Sequence, residues 1–123
     1  TNALDANQTG SANTAVGYNA GSAFTSDGIT AFGKDALELC TTGLNTAVGA
    51  NALSSVTSNA GNTAVGQDAL TANTAANNTA VGASALLANT TGANNTATGY
   101  QSLQGNTTGL SKLQHSSWYG GYV

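Results

Sequence analysis

One five-residue motif recurs along the chain at a nearly constant interval, and this constrains the fold more than any other feature. The motif is Asn-Thr-Ala-Val-Gly, and successive copies are separated by 16, 16, 17, 16 and 17 residues. Exact copies begin at Asn13, Asn45, Asn62 and Asn78, and variants begin at Ile29 and Asn95. Self-similarity at a fixed period indicates a repeat architecture in which each unit stacks on its neighbour.

Two further positions recur in register with the motif. A Leu follows each motif Gly by four residues, except where Gly21 replaces it, and Ala or Ser102 precedes that Leu. A Thr follows the Leu position by four residues. We call these sets the Leu row (Leu37, Leu53, Leu70, Leu86 and Leu103) and the exit Thr row (Thr25, Thr41, Thr57, Thr74, Thr90 and Thr107).

Each unit therefore contains two short extended runs, Thr-Ala-Val and Leu-x-x-x-Thr-Thr, separated by turns. Sixteen residues are too few for a pair of helices, but they suffice for one coil of a two-sided solenoid whose rungs lie about 4.8 Å apart. The sequence predicts an all-β fold, a parallel β-solenoid or β-roll of about seven turns with two short strands per turn, over residues 1–110. Residues 111–123 break the pattern and are predicted to cap the rod or to dock on another subunit.

Strand alternation predicts which rows face inward. The Val row is the most apolar row of the first run, so we expect it to face inward together with the Thr two places earlier. The Leu row and the exit Thr row are also expected to face inward, and the Ala row outward. The Val row is Val16, Phe32, Val48, Val65, Val81 and Thr98, and the Ala row is Ala15, Ala31, Ala47, Ala64, Ala80 and Ala97.

Three sets of residues are candidates for self-association, because one Val and one Leu per unit make a thin core. The first is the Ala row, a flat stripe of methyl groups. The second is an apolar strip, Phe24, Cys40 and Val56, at a position where other units carry Asn; the alternative is that these three side chains lie in the core. The third is the aromatic end of the chain, where Trp118, Tyr119 and Tyr122 are expected to pack on another subunit.

Composition and residue types argue against several functions. Only 6% of residues are charged and the net charge is −3, so no basic surface for nucleic acid is expected, and no run approaches a membrane span. His115 lies beside serines, but nothing indicates the carboxylate and oxyanion pocket of a triad. Asp35 and Asp68 share one repeat position and are interpreted as turn residues, and Cys40 as a small hydrophobe. No catalytic residue, metal site or cofactor is predicted.

The string Asn-Thr-Ala-Val-Gly-x-x-Ala-Leu, followed by Asn-Thr-Thr-Gly, resembles the head repeats of YadA-like trimeric autotransporter adhesins and repeats of phage tail fibres. The unit here is longer than that typical of adhesin heads. The resemblance implies a left-handed parallel β-roll, usually three chains side by side, acting in surface attachment outside the cell or on a virion.

These observations together predict a non-enzymatic, extracellular structural or adhesive fibre element. Its partners would be copies of itself, packed side by side or end to end, with cell-surface glycans as a further partner. A glycan-binding phage receptor-recognition fibre is one alternative. An ice-binding solenoid is another, because Thr ladders at rung spacing can match an ice lattice, but the predicted inward direction of both Thr rows argues against it.

Overall fold

The chain forms a parallel β-solenoid, described for residues 2–116 by a computed structural model. Seven strands make one parallel sheet in sequence order, and each strand pairs with its equivalent in the next unit. The predicted all-β solenoid class is therefore confirmed. The strands are β1 (Thr14–Val16), β2 (Thr30–Phe32), β3 (Thr46–Val48), β4 (Thr63–Val65), β5 (Thr79–Val81), β6 (Thr96–Thr98) and β7 (Leu113–Gln114).

The strand ladder extends past residue 110, into the segment that the sequence separates from the repeats. Strand β7 pairs with β6 in the same register as the other strands, with Leu113 opposite Thr96 and Gln114 opposite Ala97. The stacked part of the solenoid thus includes residues that no longer carry the motif.

The second run of each unit is a series of turns, so the expectation of two strands per turn is wrong in this detail. In the unit after β3, the amide of Ala52 donates to the carbonyl of Gly49 (3.3 Å) and that of Ser54 to Asn51 (3.3 Å). Asn51 and Leu53, the third residues of these two overlapping turns, have φ of 58° and 53°. A positive φ at that position is typical of a type II turn and is incompatible with an extended strand.

The Leu row combines an unfavourable backbone with a favourable side-chain environment. Its members have φ between 49° and 54°, a left-handed conformation that costs about 1–2 kcal/mol for a residue with a Cβ. Leu37, Leu53, Leu70 and Leu86 are fully buried, and burial of a Leu side chain stabilises by about 1.5–3 kcal/mol. The predicted inward direction of these four is confirmed, and burial offsets the backbone strain.

The assignment of the Val and Ala rows is wrong, because the Ala row faces the interior. From Ala31 to Ala97 its members are fully buried, and Ala15 is half-buried. The turn of the preceding unit packs against this row at Ala31, since a Cβ built on Gly21 would lie 3.8 Å from the Ala31 Cβ. The small Ala side chains fit this thin interior, and the larger Val-row side chains point outward.

The strip of Phe24, Cys40 and Val56 is also buried, with no exposed area. The alternative that these residues belong to the core is correct, since a turn, and not a strand, precedes them.

The exit Thr row differs from its expected position in the opposite direction. Expected inside, it is exposed at five positions and half-buried at Thr90, and its hydroxyls donate to carbonyls of the next unit, as from Thr74 to Thr90 (3.0 Å).

Buried amide side chains connect adjacent units. The Oδ1 of Asn62 accepts the amide of Asn78 (2.9 Å) and its Nδ2 donates to the carbonyl of Ala75 (2.9 Å). The same double bridge recurs from Asn78 to Asn95 and Gly92. Because a buried amide is stable only when it is hydrogen-bonded, these bridges fix each unit onto the next. Ile29 interrupts the row.

Candidate functional site

The outer surface of the sheet is the most distinctive exposed region of the described chain. It carries two columns, the Val row and the strand Thr row, which lie two residues apart on each strand and therefore on the same face. Phe32 is 54% exposed, Val16 50%, Val81 38% and Val65 37%. We call this surface the sheet face. The strand Thr row comprises Thr14, Thr30, Thr46, Thr63, Thr79 and Thr96.

The columns of the sheet face are regular. Strands β1 to β6 pair with unchanged register, so each Thr stands directly opposite the next Thr and each Val-row residue opposite the next. Neighbouring members of a column are about 4.8 Å apart, and the two columns are about 6.6 Å apart along the strand. The result is a lattice of hydroxyl and methyl groups that extends over six strands.

Charge is confined to the segments outside the strands. None of the strands described carries a charged residue. The turn segments after β2 and β4 carry Lys34, Asp35, Glu38 and Asp68. The sheet face is therefore free of charged residues, whereas the segments between the strands carry both charges and exposed apolar side chains such as Tyr18 and Leu39.

The two Thr rows differ in how their hydroxyls are used. Four hydroxyls of the exit Thr row donate to backbone carbonyls at 3.0–3.3 Å. Within residues 2–116, the hydroxyls of the strand Thr row form no hydrogen bond. The hydroxyls on the sheet face are thus available to water or to a partner.

The structure brings none of the predicted interface residues onto this face. The Ala row and the strip of Phe24, Cys40 and Val56 are in the interior, apart from the half-buried Ala15. Trp118, Tyr119 and Tyr122 lie outside the described residues. The Val row, expected in the core, lies on this face, and its variable size is the signal that could have placed it outside. A thin interior requires a constant residue, as the Ala row is, and would not accept Phe32 in line with Val48.

The acidic candidates Asp35 and Asp68 have structural roles in turns. Asp35 accepts a hydrogen bond from Asn19 (3.1 Å) and Asp68 from Asn51 (2.8 Å); all four have positive φ, which confirms their interpretation as turn residues. The Lys34 ammonium donates to Asp35 and lowers the pKa of that carboxyl. His115 is exposed.

Cys40 lies inside the rod. Burial raises the pKa of its thiol, and this is opposed only in part by a hydrogen bond from the Asn45 side-chain amide and one to the Thr42 carbonyl. Because the thiolate is the nucleophile, a buried thiol with a raised pKa is unreactive. Among residues 2–116 no three His, Cys, Asp or Glu side chains are grouped as a metal site would require.

The same described residues contain no helix of the length and hydrophobicity that crossing a membrane demands. Comparison of the chain with profiles of known protein families, with curated proteins and with solved structures finds no match. The sheet face is therefore proposed as the candidate site from its geometry alone.

Proposed function

We propose that the protein is a self-assembling structural element whose copies pack side by side through the sheet face, in a surface filament, an adhesin head or a tail-fibre shaft outside the cell. The observation that carries the proposal is the Val row. It places half-exposed apolar side chains in one unbroken column, from Val16 to Val81, on a face without charge. Exposed apolar columns of this kind are typical of protein–protein contacts.

A second copy is the occupant that this face fits best. Two sheet faces present the same columns to each other, and no charge has to be desolvated when they meet. Complete burial of a Val or Phe side chain stabilises by about 1.5–3 kcal/mol, so covering the exposed half contributes about 1 kcal/mol per residue. Five such residues per copy contribute about 5 kcal/mol, which is comparable to the lower estimates of the cost of association.

The thin interior supports the same proposal. Apart from Phe24 and Ile29, the fully buried apolar residues are Leu, Val, Cys and many Ala. A rod with so little internal apolar volume gains more from lateral packing than a globular domain of its length. The resemblance to adhesin and tail-fibre repeats, which implies three parallel chains, agrees with this arrangement.

The test is the double variant Val65→Glu, Val81→Glu, which places two charges on the sheet face. Ser54→Glu, Gln104→Glu is the matched control, because it adds the same charge on the turn side, where the equivalent position already holds Glu38. In sedimentation velocity the parent and the control should associate, and the Val variant should sediment as a single chain with unchanged circular dichroism. A parent that remains a single chain at high concentration would refute the proposal.

A second candidate function, binding to ice, is favoured by the strand Thr row. The expectation that both Thr rows face inward argued against it, and the structure removes that objection, because the strand Thr hydroxyls lie on the sheet face and form no internal hydrogen bond in the described chain. A hydroxyl and methyl lattice of constant spacing can order the water of an ice surface.

One pair of substitutions separates the two candidates. Replacing Thr63 and Thr79 with Val removes hydroxyls but keeps the shape of the face. Association between copies should then persist or strengthen, whereas thermal hysteresis, the signature of ice binding, should fall. If the parent shows strong hysteresis as a single chain and the Thr variant loses it, ice and not a second copy is the ligand.

A further inference from the structure

Two residues that depart from the repeat pattern contact each other near the last described rung. Ser102 is the single Ser at the position that precedes the Leu row, and Gln114 stands in register with the Ala row, opposite Ala97. The fully buried Ser102 hydroxyl donates to the backbone carbonyl of Gln114 (3.1 Å). Two independent departures thus meet at one point of the fold.

The Gln114 side chain replaces a backbone partner at this point. In earlier units the amide of the Leu-row residue donates to a backbone carbonyl of the next unit, as from Leu70 to Ala85 (3.0 Å) and from Leu86 to Ser102 (2.9 Å). The amide of Leu103 donates instead to the Gln114 Oε1 (2.6 Å). Counting Leu4 and Gly21, which hold the same repeat position, six such amides donate to backbone carbonyls before the turn ladder ends on a side chain.

We propose that Gln114, held by Ser102, is a cap that closes the turn ladder and prevents a second copy from adding a rung there. An edge of unpaired backbone groups is a template for another chain, and a buried amide without a partner is costly. The Gln114 Oε1 accepts the hydrogen bond of the Leu103 amide, so this amide is not free to donate to the backbone of a neighbouring rod. The cap closes this part of the last described rung, and the proposal does not depend on the sheet face being an interface.

The experiment is best done in the Val65→Glu, Val81→Glu background, in which lateral contacts are removed and any association is end to end. Gln114→Met keeps the length of the side chain and removes its acceptor oxygen. Gln114→Glu keeps an acceptor oxygen and is the matched control. The readouts are hydrogen exchange of the Leu103 amide and particle length by electron microscopy.

In Gln114→Met the Leu103 amide should exchange at least about tenfold faster at low concentration, since the loss of one such hydrogen bond corresponds to a change of about that size. At high concentration this variant should form rods longer than one chain, and Gln114→Glu should do neither. Ser102→Ala, which restores the residue of the other units, should give a smaller effect in the same direction. Unchanged exchange in Gln114→Met, or faster exchange without longer rods, would overturn the proposal.

Discussion

Gly21 and Ile29 form a compensating pair, and the structure predicts a strong energetic coupling between them. Gly21 stands where other units have Leu, and Ile29 where most have the bridging Asn. A Cβ built on Gly21 lies 2.8 Å from Ile29 Cδ1 and 3.5 Å from Leu4 Cδ2. Ile29 therefore fills the space that a Leu side chain fills elsewhere, and neither residue can be changed alone without a penalty.

The magnitudes follow from this contact. Gly21→Leu overfills the core and should reduce the free energy of unfolding by about 1–3 kcal/mol. Ile29→Asn leaves a cavity next to Gly21 and should cost about 2–4 kcal/mol. The double variant restores the residues of the other units, including an amide that can bridge to Asn45. It should lie within about 1 kcal/mol of the parent, although the two single losses together are at least about 3 kcal/mol, so the coupling energy is at least about 2 kcal/mol.

Urea unfolding of the four proteins, followed by circular dichroism, measures this cycle. The comparison should be made at low concentration, where association does not contribute to stability. Contacting residues couple, whereas independent sites are additive within about 0.5 kcal/mol. If the two single changes add within that limit, Ile29 does not occupy the Leu space and the account of this unit is wrong.

Two further predictions concern buried polar groups. Asn78→Ala removes the partners of the Asn95 amide and the Gly92 carbonyl, so the free energy of unfolding measured in urea should fall by about 2–4 kcal/mol. The control Thr91→Ala, at an exposed position, should lower it by less than about 0.5 kcal/mol. A loss as small as that of the control would contradict the bridging role of Asn78. The pKa of the Cys40 thiol is raised in the folded chain. The thiol of the unfolded chain ionises near pH 8.5, so the contribution of Cys40 to stability should be full below about that pH and be lost as the pH rises further. Cys40→Ala should lack that additional loss in unfolding experiments between pH 8 and 10; equal pH dependence in both proteins would exclude it.

The architecture was predictable because it depends on spacing alone. A motif that recurs every 16 or 17 residues forces equivalent strands into register, whichever side chains face inward. The direction of the rows was not predictable from apolarity, because the available space decides it. A Val is more apolar than Ala, but the interior of this thin rod holds the small side chain of each strand and leaves the larger one outside.

The turn half of each unit was mispredicted for a conformational reason. Leu seldom has a positive φ, so its periodic occurrence suggested an extended run, and the neighbouring Asn or Asp at positions such as Asn51 was the better signal of a turn. An extended run also predicts the wrong direction for Phe24 and Cys40, because strand alternation from the Leu position does not hold across a turn. The candidate site was missed because it is the other face of the same three-residue strands.

The amide bridges have a consequence for how the molecule can vary in length. Each bridge joins a unit only to the next one, as Asn62 joins Asn78 and Asn78 joins Asn95, and the strand pairing follows the same rule. Stability is then a sum of terms between neighbours, as in a one-dimensional lattice. Whole units can be duplicated or deleted without disturbing distant ones, and the segments between the strands absorb one extra residue without a change of register, as the 17-residue steps to β4 and β6 show. Rod length is in this sense a quantity that gene duplication can adjust in steps of about 4.8 Å.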